Sequence, residues 1–254
     1  MTSNTTTRRT VMRSAAWTAP AVVVAGSAPA LAASTDPCEP QPVTVDWQSR
    51  NYTRHDDKRG SYTIPLSDGT TMTLSISSVF SGGMKSGGLA NSGLDGTSND
   101  NLRLTSFNIG GTGQPGLALH QDNAGSGRLT DSQVVTFSFD RPVETLSFRV
   151  TDIDGEVADF RDAIKPSGDL IATPATGIRL SRATNPDFQG FWLKDQQTAT
   201  SNNDASANLR LQGTNIQTFT LEYRNFDQNY VAGDDRDQRV FLTDIDITVP
   251  PIGC

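Results

Sequence analysis

Residues 134–154 read Val-Val-Thr-Phe-Ser-Phe-Asp-Arg-Pro-Val-Glu-Thr-Leu-Ser-Phe-Arg-Val-Thr-Asp-Ile-Asp. Val135, Phe137 and Phe139 alternate with other residues, and Leu146, Phe148 and Val150 do so again. A period of two marks a strand with one buried face, because successive side chains point to opposite sides. Asp140-Arg141-Pro142 separates the two runs. It reads as a turn, and the stretch as a half-buried antiparallel hairpin with its proline kept to the turn.

Outward from this stretch, strand signals dominate and helical ones are scarce. Ser61–Leu66 and Thr71–Ile76 flank Ser67-Asp68-Gly69-Thr70, with Asp-Gly as the hairpin turn. Further strands are expected at Leu102–Phe107, Gly116–His120, Gly168–Thr173, Ile178–Leu180, Gly190–Lys194, Ala207–Leu211, Ile216–Tyr223 and Val240–Val249. Asp159–Ile164 reads as a helical turn or a strand. Ser81–Asn101, rich in Gly, Ser and Asn, reads as an extended loop. Turn signals every ten or so residues argue for an all-β fold, an antiparallel two-sheet β-sandwich of jelly-roll-like form. No linker divides residues 34–254, which are expected to form one domain; a split near Ser126 is the alternative.

The N-terminus carries a different signal. Arg8 and Arg9 precede an apolar run from Ala15 to Leu31, closed by Ala30-Leu31-Ala32, with no acid before Asp36. Residues 1–33 resemble a bacterial twin-arginine signal peptide, helical or disordered, cleaved near Ala33 or Ser34. The resemblance implies export and an extracellular mature chain. No second apolar stretch reaches the roughly 20 residues that span a bilayer. The chain stops at Cys254 with no wall-anchor signal, and Cys38 lacks a lipoprotein context, so no membrane insertion is expected after cleavage.

The chain holds 21 Lys+Arg and 28 Asp+Glu; loss of Arg8, Arg9 and Arg13 with the leader leaves a net charge of −10. So acidic a chain repels phosphate backbones, which argues against a nucleic-acid partner. The two cysteines, Cys38 and Cys254, lie at the ends of the mature chain. In an oxidising compartment such a pair reads as a disulfide, with intermolecular pairing or free thiols as alternatives. An intramolecular bond requires the first and last strands to lie side by side, since the Cα atoms must approach within about 7 Å.

Thr151-Asp-Ile-Asp154 recurs as Thr243-Asp-Ile-Asp246. Residues two apart in a strand share a face, so Asp152 and Asp154 continue the apolar face of Leu146, Phe148 and Val150. Carboxylates at the rim of a core need a partner. A structural Ca²⁺ fits as a hard cation seeking six to eight oxygens; capping of backbone N–H groups is the alternative. Asp244 and Asp246, the second pair of candidate metal ligands, are phased to the other face. The acidic loop Asp227–Asp237 reads as solvated and balanced by its own arginines. Among the aromatic residues, Trp47 and Phe191-Trp192-Leu193 read as core. Tyr52 and Tyr230, flanked by polar residues, are the candidates for stacking on sugar rings. His55 and His120 are the only histidines, and no metalloprotease or nucleophile-elbow motif is present.

The segment 134–154 resembles a recurring unit of secreted bacterial β-sandwich proteins: an x-T-x-x-F strand, a Pro-Val step, then L-x-F-x-V-x-D-I-D. Asp159-Phe160-Arg161-Asp162 is similar to the aromatic-plus-Asp element that follows it there. Thr243–Val249 resembles the closing strand of carbohydrate-binding-module-type jelly rolls. The likeness implies an extracellular, non-enzymatic binding protein with glycan or envelope material as its ligand class. The alternatives are a secreted carboxylate-dependent glycan-active enzyme and a purely structural envelope protein.

Overall fold

The computed structural model describes residues 39–87, 100–123, 130–157, 160–174, 180–182, 186–194, 198–226 and 238–251. Within them, residues 134–150 belong not to a hairpin but to one 20-residue strand, β7 (Ser132–Thr151). Both of its halves pair antiparallel with the 17-residue β13 (Leu209–Asn225). The reason lies at Asp140-Arg141-Pro142. A tight hairpin turn needs residues with positive φ, and none of these three has one. The register instead jumps from Ile216↔Val143 to Thr218↔Ser138, so Phe139–Pro142 bulge opposite Gln217. Pro142, with no N–H to offer a ladder, suits a bulge. On β13 the irregularity is shared by Asn215, whose φ is +54°.

The bulge folds the ribbon onto itself. Phe148 lies next to Leu211 across the pair, eight residues along β13 from Phe219. On a straight ribbon that is roughly 26 Å. The rings of Phe148 and Phe219 are 5.2 Å apart, and Phe219 also stacks on Phe137 at 4.7 Å and 6°. The inner faces of the two halves therefore meet, and the expected all-β sandwich is found with layers that share β7 and β13.

One layer extends from the first half of β7 through β4 (Thr71–Ser81), β3 (Arg59–Pro65) and β2 (Tyr52–Arg54). From the matching half of β13 it extends through β9 (Phe160–Ser167), β12 (Trp192–Lys194) and β11 (Leu180–Arg182). The other layer runs β10 (Ile171–Pro174), β13, β7, β15 (Ile245–Val249), β1 (Gln41–Val45). At the end of β7 it continues into β14 (Gln238–Leu242), β6 (Leu117–Asn123) and β5 (Met84–Ser86). The two-residue β8 (Gly155–Glu156) pairs with β9.

Local signals were followed where they were strong. The Asp68-Gly69 turn joins β3 to β4, with Gly69 at φ +82° and the Thr70 N–H donating to Asp68 Oδ1 at 2.8 Å. The two expected strands 207–211 and 216–223 are merged in β13, and 240–249 is split at Thr243-Asp244. Residues 102–107 form only an isolated bridge, Leu104 to Leu117. First and last described strands do lie side by side, Gln41 opposite Val249 through Val45 opposite Ile245. Cys38, Cys254, Tyr230 and the leader with Arg8 and Arg9 lie outside the described residues.

Phe219→Ala removes the ring that joins the two layers. Truncating a buried Phe costs about 3–5 kcal/mol. At about 2–4 °C per kcal/mol in a chain of this size, the melting temperature is expected to fall by on the order of 10 °C. A drop under about 3 °C in a thermal melt would show that this seam does not hold the layers together.

Candidate functional site

Two polar regions stand out, one buried past the end of β7 and one on the outer face of the layer formed by β10, β13, β7, β15 and β1. The first is internal. β7 ends at Thr151, and Asp152 follows with φ +63°, a left-handed conformation that Asp tolerates better than most residues. Asp152 and Asp154 are buried, at 5% and 4% exposure. Thr200 sits between them. Its hydroxyl donates to Asp154 Oδ2 at 2.8 Å and reaches Asp152 Oδ1 at 3.4 Å; its N–H also donates to Asp154 Oδ2.

Asp162, on β9, completes the cluster. Its Oδ1 accepts from the Tyr223 hydroxyl at 2.6 Å and from Gln238 Nε2 at 2.8 Å, and its Oδ2 accepts from the Asp154 N–H at 3.1 Å. Gln238 Oε1 in turn accepts from Gln121 Nε2 at 2.8 Å. The chain of bonds crosses β6, β14, β9 and the end of β7. Burial pushes the Asp152 carboxyl up to about 8, helped by the neighbouring Asp154. Burial likewise raises Asp154, and raises Asp162 well above the usual carboxylate range despite its three donors. The sequence marks Asp162 only as the end of the aromatic-plus-Asp element, not as a site residue. Its signal was an acid two residues before the apolar Ile164, on the same inward face.

The four acids read as a metal set do not converge. Asp152 and Asp154 share Thr200, whereas Trp47 and Thr44, which bond the second pair, do not belong to that cluster. Asp244 Oδ1 accepts from the Trp47 N–H at 3.0 Å, and Asp246 Oδ1 accepts from the Thr44 hydroxyl at 2.9 Å. Among the described residues no group of three or more His, Cys, Asp or Glu is placed to hold a metal ion. Tyr52 is half-buried rather than a free platform. Its ring meets Trp47 edge-on at 5.5 Å and its hydroxyl donates to the Leu102 carbonyl at 2.7 Å. A ring with one edge in the core and its hydroxyl engaged serves packing.

The second region is the outer face of that layer. Leu146, Phe148 and Val150 point inward, so Thr145, Ser147 and Arg149 point out; Leu209 and Leu211 do the same for Arg210 and Gln212. Lateral register then writes polar rows across the strands. Thr44, Asp246, Ser147, Gln212 and Ile171 form one row. Pro42, Thr248, Thr145 and Thr214 form the next, with the Thr145 hydroxyl donating to Thr248 at 2.7 Å. Arg149, Arg210 and Thr173 form a third on the other side of the first. Two adjoining hollows, about 600 Å³ and about 400 Å³, open over these rows and share Thr44, Ser147 and Asp246. Asp152 and Asp154 line neither hollow.

Comparison of the chain with protein-family models, with curated proteins and with solved structures returns no match.

The internal acids set a pH dependence. Between an unfolded value of about 3.9 and the folded value of about 8, folded Asp152 holds a proton that the unfolded chain has released, so stability falls as pH rises. His120, buried and lowered to about 3 by desolvation and by Arg239, acts with the opposite sign, losing stability as pH falls below about 6.5. The two oppose each other from about pH 4 to 6.5, and the acids act alone above that. The melting temperature is therefore expected to be level to about pH 6.5 and to decline toward pH 8. Asp152→Asn is expected to flatten the decline; an equal slope in the variant would rule out this assignment. Recovery of the pH 6 value at pH 8 by millimolar Ca²⁺ would mean that a cation, not protons, settles the pair.

Proposed function

We propose that this is a secreted, non-enzymatic binding protein that holds glycan or cell-envelope material in the outer groove of the β10–β13–β7–β15–β1 layer. The observation that carries the reading is the chemistry of the rows. Hydroxyls, a carboxamide, carboxylates and guanidinium groups repeat across neighbouring strands at a spacing of roughly 4.8 Å. Such a surface offers a polyhydroxylated chain many hydrogen bonds. Among the described residues Phe148 is the one aromatic residue of the lining, and its side chain is buried. Recognition therefore runs through hydrogen bonds rather than ring stacking. Hydrolysis by the raised pair is disfavoured: a carboxylate mechanism needs two acids flanking the scissile bond in an open site, and Asp152 and Asp154 are buried and line neither hollow.

The mature chain is expected to be retained on at least one of peptidoglycan, chitin, cellulose or a soluble acidic glycan. Ser147→Trp, which fills the groove floor, is expected to weaken retention at least tenfold, and the distant exposed Val79→Ser to leave it unchanged. Equal retention of the groove-filled variant would overturn the reading, as would no retention on any of these materials.

Export and a terminal staple belong to the same proposal. The pairing of β1 with β15 brings together the strands that lead to Cys38 and Cys254. The loop-entropy model gives roughly 5 kcal/mol as an upper figure for a Cys38–Cys254 bond. A reducing agent is expected to lower the melting temperature by several degrees. Two free thiols by mass spectrometry of the exported protein would remove the staple.

A further inference from the structure

Arg149 on β7 and Arg210 on β13 lie directly opposite each other in the ladder, both exposed and both lining the groove. Directly opposed residues on one face have Cβ atoms only about 4.5–5.5 Å apart, and like charges so placed destabilise a sheet. Among the described residues neither guanidinium has an ion-pair partner. Of the nearby carboxylates, Asp244 accepts from the Trp47 N–H and Asp246 from the Thr44 hydroxyl, each through Oδ1. Folding gains nothing from this opposition, whereas a bound anion turns it into a clamp. A guanidinium presents its N–H groups as a planar fork that matches carboxylate and phosphate oxygens.

We propose that Arg149 and Arg210 form an anion clamp, so that the ligand of the groove is an acidic glycan carrying a carboxylate. This deepens the glycan-binding reading and rests on it. The flanking charges restrict the ligand further. Asp246 and Ser147 occupy the next row, two residues away along the strands, or roughly 6.6 Å. Asp246 repels a second anion there, and the acidic chain as a whole repels a dense polyanion. The favoured ligand thus carries an acidic group next to a neutral sugar. Its acidic group sits on the arginine pair, and its neutral hydroxyls meet Ser147, Gln212 and Asp246.

The test is isothermal titration of the mature chain with four soluble probes. Hyaluronan oligosaccharides alternate uronate with neutral sugar; polygalacturonate is continuously charged; poly(glycerol phosphate) supplies phosphodiesters; cellohexaose is neutral. Hyaluronan oligosaccharides are expected to bind, with affinity falling as salt rises. Arg149→Gln and Arg210→Gln are each expected to weaken that binding at least tenfold. Both should leave the melting temperature unchanged or slightly raised, since they relieve a like-charge contact. Equal binding of cellohexaose, unaffected by either substitution, would overturn the clamp and leave the groove reading standing. Tightest binding of polygalacturonate or of poly(glycerol phosphate), both charged at every unit, would overturn the proposed spacing. Failure of every probe, together with no retention on insoluble glycans, would overturn both.

Discussion

The register break between Ile216 and Thr218 is the constraint on which this fold depends. A 20-residue strand and a 17-residue strand would otherwise form one long ribbon, with an apolar face open to water along its whole length. Four bulged residues opposite one allow the ribbon to double over, and Phe148 then reaches Phe219. The burial pattern records the adjustment. Glu144–Thr145, Thr214–Asn215 and Gln217–Thr218 are each two exposed residues in succession, where strict alternation would bury one. A register slip of one residue sends every side chain of a strand to the other face. The bulges are placed so that the apolar set returns to the inside after the bend. Both layers hang from this pair, so the outer groove exists only because the bend does.

Where a signal is local, the sequence carried it. The Asp68-Gly69 turn needs only its own backbone, and β3 and β4 follow from it. The expected turn at Asp140-Arg141-Pro142 failed because its composition fits a turn and a bulge equally well. Only pairing with the distant β13 decides between them. The acid pair was legible as a rim feature, through the phase of Asp152 and Asp154 with Val150. Asp162 was not, because its partners Tyr223 and Gln238 come from strands remote in sequence. The groove was the least legible part. Its rows are written by the order β10–β13–β7–β15–β1, in which few neighbours in space are neighbours in the chain.

The two repeats of Thr-Asp-Ile-Asp show how one motif acquires two roles. After β7 the left-handed Asp152 ends the strand, and both carboxyls turn into the protein beside Thr200. In the second copy the backbone continues into β15. Asp244 caps the Trp47 N–H, and Asp246 is left on the outer face. The side chains are identical; the backbone path decides which solvent they meet. Burial makes a carboxylate expensive, so the first pair is driven toward its neutral form. Exposure makes charge cheap, so Asp246 keeps its place beside water.

The same argument bears on the arginine pair. A guanidinium cannot shed its proton to escape a poor position, so Arg149 and Arg210 must be tolerated as charges. On the surface, water lowers their repulsion to a fraction of what it would be inside. A ligand that covers the groove removes that water and makes the opposition costlier, unless it brings a negative group between them. Groove occupancy and ligand charge are therefore coupled by electrostatics. A neutral ligand seated over the third row would have to desolvate two like charges while bringing no negative group of its own.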